Sequence, residues 1–227
     1  MIINKLLTKT NFRKGSGKQN KYIVIHYVGA TGGAEANCKY FETVYRDASA
    51  HYFVGHKGEI WQCVEDKDIA WHCGASSYKH PYCRNSNSIG IEMCCRKKTD
   101  GTWYFEEETI KATTELVKEL MTKYNIPAAN VIRHYDVTGK KCPEPYVRDS
   151  AAWNTFKASL TTTAPATGYL VKITASTLNV RKGAGTGYGI VTTVKKGEVF
   201  TIVDEYKGWG KLKSGVGWIS LNYTERI

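Results

Sequence analysis

Residues 21–29 read KYIVIHYVG, an almost unbroken apolar run. A strand with one wet face alternates apolar and polar residues, so a run without alternation is covered on both faces. SIGIEMCC at 88–95 has the same character. Two such strands predict a central sheet sandwiched between other layers.

Further segments supply those layers. GGAEANCKYFETVYRD, at 32–47, reads as a helix. EEETIKATTELVKELMTKYN, at 106–125, places Ile110, Leu116, Val117, Leu120, Met121 and Tyr124 on one stripe. Asn125 and Pro127 end that helix. AHYFVGHKGEIWQCV reads as a hairpin turning at Lys57-Gly58. NVIRHYDV, at 130–137, reads as a further strand or strand end. The first part of the chain is therefore expected to be α/β with a central sheet.

The composition changes near residue 160. ASLTTTAPATG is small and polar and carries a Pro and a Gly, as linkers do. Residues 169–227 hold no cysteine or histidine and 9 glycines. Their short apolar runs, separated by Gly-rich turns, predict a small all-β barrel or sandwich. The expected division is 1–160, a linker at 161–168, and 169–227.

Both parts are basic. The net charge is +11, of which +6 lies before residue 160 and +5 after it. Such a field suits a polyanionic partner, whether nucleic acid, an anionic membrane surface or a cell-wall polymer, and also serves plain solubility. No nucleic-acid-binding motif is recognisable, which argues against that partner. No stretch approaches the ~20 apolar residues that span a bilayer, so membrane insertion is not expected. The start, MIINKLLTKTNFRKGSGK, has no apolar run of signal-peptide length. We expect synthesis and folding in a cytosol. There, the 7 cysteines read as free thiols or metal ligands, and their odd number leaves at least one without an intrachain partner.

RHYDVTGKKCPEP, at 133–145, gathers an imidazole, a thiol and two ammonium groups in one loop. His26 interrupts the first apolar strand. A polar ring there needs a partner, and either a satisfied core histidine or a metal ligand fits. His26, His134 and Cys142 are all of zinc-ligand type, and a catalytic zinc keeps three protein ligands and one open position. Glu92 interrupts the second strand. A carboxylate in such a place is either a general base with a raised pKa or half of an ion pair, for instance with Arg96. Lys140 and Lys141 flank the thiol; one of them beside a metal would stabilise an oxyanion. Trp71 and His72 either line a cleft or form a core tryptophan with a surface histidine.

IVIHY, WHCG, NSNSIGIEMC and RHYDVTGKKCP together resemble the zinc-dependent N-acetylmuramoyl-L-alanine amidases of the amidase-2 type, relatives of the peptidoglycan recognition proteins. The resemblance spans roughly residues 1–155. It implies a mixed central sheet flanked by helices. It implies Zn²⁺ held by His26, His134 and Cys142, with Glu92 as general base and Lys140, two residues before the cysteine, as the catalytic cation. Binding-only relatives lack the cysteine, so Cys142 points to hydrolysis. Some members place a tyrosine just before the hairpin histidine; here Ala50 precedes His51, which puts more weight on Glu92. The WHCG match implies that Trp71 and His72 lie near the substrate. The last 59 residues, with LNVR, GTGY, KKG and WGKL followed by GWI, resemble bacterial SH3-type (SH3b) domains that anchor lytic enzymes to walls. The implied protein is a phage-endolysin-like peptidoglycan hydrolase of Gram-positive cell walls, made without an export signal and acting on the wall after release.

Overall fold

The two apolar runs become neighbouring parallel strands, Tyr22–Tyr27 and Ser88–Met93. The computed structural model describes residues 2–15, 19–161 and 168–227. Within it these strands form the middle of a six-stranded sheet. Ile3–Lys5 forms one edge, followed by Ile60–Gln62, Tyr52–Val54, Ser88–Met93 and Tyr22–Tyr27; Val131–Arg133 forms the other edge. The sheet is mixed. Only the hairpin of 52–54 and 60–62 is antiparallel; its other neighbours pair parallel. Gly58, at φ +79°, takes the left-handed position of the hairpin turn that a side chain would strain.

Each face of the central strands meets its own layer, as their lack of alternation requires. Ile23, Ile25, Ile89, Ile91 and Met93 pack against the Glu107–Tyr124 and Ser150–Thr161 helices through Leu116, Val117, Leu120, Trp153 and Phe156. On the opposite face Val24 meets Cys73, Cys83 and Val137, and Phe53 meets Ala34, Cys38, Cys63 and Cys94. Each large aliphatic so buried contributes roughly 1.5–3 kcal/mol. All seven cysteines are buried and unpaired by disulfides. The long helix ends where Asn125 turns left-handed at φ 51°.

Two segments depart from the sequence expectation. The first helix runs only Ala34–Glu42. Asn11 ends it: its amide donates to the Phe41 and Val44 carbonyls at 2.8 and 2.7 Å, and its oxygen accepts the Arg46 N–H at 2.6 Å. A side chain from elsewhere thus satisfies the helix-end groups and turns the chain. The strand expected over 130–137 stops at Arg133, and His134–Thr138 is a short helix. Asp136 explains the change, since its carboxylate accepts the Arg133 N–H at 2.9 Å and complements the helix start. Gly139, at φ +87°, closes that turn.

A second unit follows Thr161. Residues 162–167 of the expected linker lie outside the described residues. Seven strands between Tyr169 and Arg226 form one antiparallel sheet. Its core is mainly aliphatic, with Val171, Ile173, Leu178, Val180, Val194, Ile202, Leu212 and Ile219 at the centre, Tyr169 and Phe200 packed against them, and Trp218 buried as well.

Candidate metal centre

Parallel pairing fixes where the polar interruptions meet. His26 and Glu92 are register partners on adjacent strands. Arg133 pairs with Ile25, so the next residue, His134, emerges beside His26. Three residues thus stand at the carboxyl ends of three adjacent parallel strands, where open α/β sheets commonly place ligands. The loop after the short helix returns Cys142 to the same point. Its carbonyl accepts the Tyr135 N–H at 2.8 Å, and its own N–H reaches the Lys140 carbonyl at 2.6 Å. The Cys142–Pro143 peptide is cis.

One ligand-type atom each from His26, His134 and Cys142 lies within 4.8 Å of the others, and all three residues are buried. Cys142 Sγ stands 3.6 Å from His26 Nδ1. The Glu92 Oε1 atom is 4.0 Å from that same nitrogen. Its Oε2 is buried with no hydrogen-bond partner. Arg96 pairs with Glu106 at 2.8 Å rather than with Glu92. Two imidazoles, a thiol and an orphaned carboxylate oxygen are a donor set that fits a divalent cation of zinc's preferences.

Burial sets the protonation of these groups. It holds His26 well below the usual histidine range, reinforced by His134, His72 and Lys140. It lowers His134 to about 4, with Lys140 adding to the effect. Both rings are therefore neutral, as ligands must be. Burial raises the Glu92 carboxyl to about 8 against the opposing pull of Lys140. Burial, then Glu92, pushes the Cys142 thiol up; a cation bound beside them favours the ionised thiolate and the ionised Glu92 carboxylate alike.

A cleft of about 680 Å³ reaches the cluster at His134 and is lined also by Asp47, Trp71, His72, Asn85 and Lys140. Lys140 is exposed and lines it; Lys141 does not. Trp71 is half-buried and meets the exposed Tyr45 edge to face at 5.9 Å. Tyr45 had no sequence signal, since it falls in the segment read as helix. His72 lies deeper, with its Nδ1 3.0 Å from His26 Nε2 and its Nε2 3.1 Å from Ser88 Oγ. Asn85 fixes that loop by accepting the His72 and Cys73 N–H groups at 3.2 and 2.8 Å. Gly90 leaves room for the ring: a Cβ there would lie 2.4 Å from His72 Cγ. Ser88 and Asn85 were missed in the sequence because nothing in NSNSIG marks which polar side chains turn inward.

Residues 16–145 match the N-acetylmuramoyl-L-alanine amidase family, and residues 176–225 match the bacterial SH3 domain. A probable N-acetylmuramoyl-L-alanine amidase of Bacillus licheniformis is 38% identical over 148 residues, 60% of this chain and 40% of that protein. The amidase CwlL of the same species is 35% identical over 178 residues, 73% of this chain and 47% of its own length. The chain thus spans less than half the length of these curated relatives. Among solved structures, PlyL superposes with a TM-score of 0.61 at 26% identity, covering 71% of this chain and 98% of that one. With the family matched across more than half of its length and an amidase fold beneath it, the chain belongs to the amidase-2 family of N-acetylmuramoyl-L-alanine amidases and carries a bacterial SH3 domain after it.

Proposed function

We propose that the protein is an endolysin-type peptidoglycan hydrolase. It cleaves the amide between the lactyl group of N-acetylmuramic acid and L-alanine of the stem peptide, in Gram-positive walls. The observation that carries this reading is the convergence of two neutral imidazoles, a thiol and a carboxyl group with one unpartnered oxygen at one end of the sheet. Names of relatives support the bond assigned.

In this reading His26, His134 and Cys142 hold zinc. Zinc held there would supply Lewis acidity. Glu92 takes a proton from the attacking water and later returns one to the departing alanine nitrogen. Lys140 faces the developing oxyanion and offsets its charge. Trp71 and His72 line the wall against which the muramyl peptide lies. The SH3-type unit, with +5 of the net charge, holds the enzyme on the anionic wall. No helix among the described residues is long and apolar enough to cross a membrane.

The test pairs metal analysis with mass spectrometry of digested wall. One zinc per chain, with muramic acid separated from a newly free L-alanine amine, supports the reading. Wall binding without that new amine assigns the protein to recognition instead of hydrolysis and overturns it.

A further inference from the structure

His26 has two ring nitrogens, and only one faces the cluster. Nδ1 faces Cys142 and Glu92, while Nε2 points away to His72. For His26 to donate its Nδ1 lone pair to a cation, its proton must reside on Nε2. Something must hold it there.

The polar chain behind His26 ends on a group that only accepts. Ser88 Oγ lies 2.7 Å from the Arg84 backbone carbonyl. A carbonyl oxygen cannot donate, so at 2.7 Å, far closer than Cys73 Sγ at 4.0 Å, it takes the single hydroxyl proton of Ser88. Toward His72, 3.1 Å away, Ser88 can then only accept, which places a proton on His72 Nε2. In the neutral ring His72 Nδ1 is left as an acceptor, and the 3.0 Å contact to His26 is filled by His26 Nε2–H. For neutral rings the directions run one way, from His26 through His72 and Ser88 to the Arg84 carbonyl. Ser88 and His72 are buried, so water does not compete freely for these positions.

We propose that His72 and Ser88 are positioning residues that fix the tautomer of His26 and so make Nδ1 its metal-binding atom. This rests on the zinc reading above. The relay gives His72 a task at the metal centre beyond lining the cleft, and gives Ser88 a role that its sequence context did not suggest. Outer partners of metal-bound histidines raise ligand basicity and fix ring orientation, and losing one typically lowers metal affinity about 10–100-fold.

The decisive measurement is made on the metal-free full-length protein. Long-range ¹H–¹⁵N correlation spectra should show His26 protonated at Nε2 and not at Nδ1. Zinc affinity, read by competition with a chromophoric chelator, should fall about 10-fold or more in Ser88→Ala and His72→Phe. Ser88→Thr, which keeps the hydroxyl, should recover most of the loss. A His26 protonated at Nδ1 in the unmutated protein overturns the relay, whatever the variants do. Unchanged zinc affinity in both folded variants overturns it too. An Nε2-protonated His26 in a protein that binds no zinc supports the relay but sinks the zinc reading, so the two failures are told apart.

Discussion

The two units bury different chemistry. Up to Thr161 the core carries buried histidines, cysteines and serines beside its aliphatic residues. After it, the core is mainly aliphatic, with Trp218 also buried, and the sequence there holds no cysteine or histidine. Both units leave apolar residues on their surfaces, among them Tyr40, Val44 and Tyr82 in the first and Leu170, Ile190 and Val191 in the second. Buried polar groups are costly unless satisfied, so a fold keeps them where chemistry requires them. The contrast is that the first unit buries groups able to act as ligands, acids or bases, and the second does not.

That contrast can be broken by substitution. The largest effect is expected from Cys142→Ser, which should abolish zinc retention and amide hydrolysis while wall binding through the second unit persists. Full zinc and full activity in this variant would refute the ligand assignment. Lys140→Ala should lower kcat by roughly 10²–10³, the usual effect of losing one oxyanion donor. Its zinc content and thermal unfolding should match the parent.

A matched pair of core changes sharpens the division. Ile202→Ala empties the centre of the second core, where Ile202 is fully buried. It should cost that unit about 2–5 kcal/mol and leave hydrolysis of soluble muropeptides intact. Gly90→Ala, by contrast, pushes a methyl group into His72 and should weaken zinc binding in the first unit. Calorimetry and chelator competition on both variants would show whether the two losses stay separate. The smallest effect belongs to Lys141→Ala, an exposed lysine outside the cleft lining. Activity should be unchanged and stability within about 0.5 kcal/mol.

Much of the fold is legible in the chain because strands covered on both faces lose their alternation. The runs at 21–29 and 88–95 mark the sheet centre, and Asn125 marks a helix end. What local pattern misses is capture by distant groups. Asn11 shortens the first helix from over 20 residues away, and Asp136 turns an expected strand into a helix. The site divides the same way. His26 and Glu92 stand out as polar breaks in apolar runs, yet only the parallel register makes them neighbours. Ser88 and His72 lie 16 residues apart and meet through a loop path held by Asn85. No spacing rule predicts such a meeting.

The separation between His26 and Cys142 has a consequence for how the protein comes into being. The two residues are 116 positions apart. At the usual 5–20 residues per second of synthesis, roughly 6–23 s pass between their emergence. Throughout that interval a nascent chain carries His26 but not the Cys142 thiol that completes the cluster. A growing or truncated chain that stops short of Cys142 cannot assemble the full donor set. On the proposed reading, hydrolysis that depends on that set would begin only after nearly the whole first unit has been made.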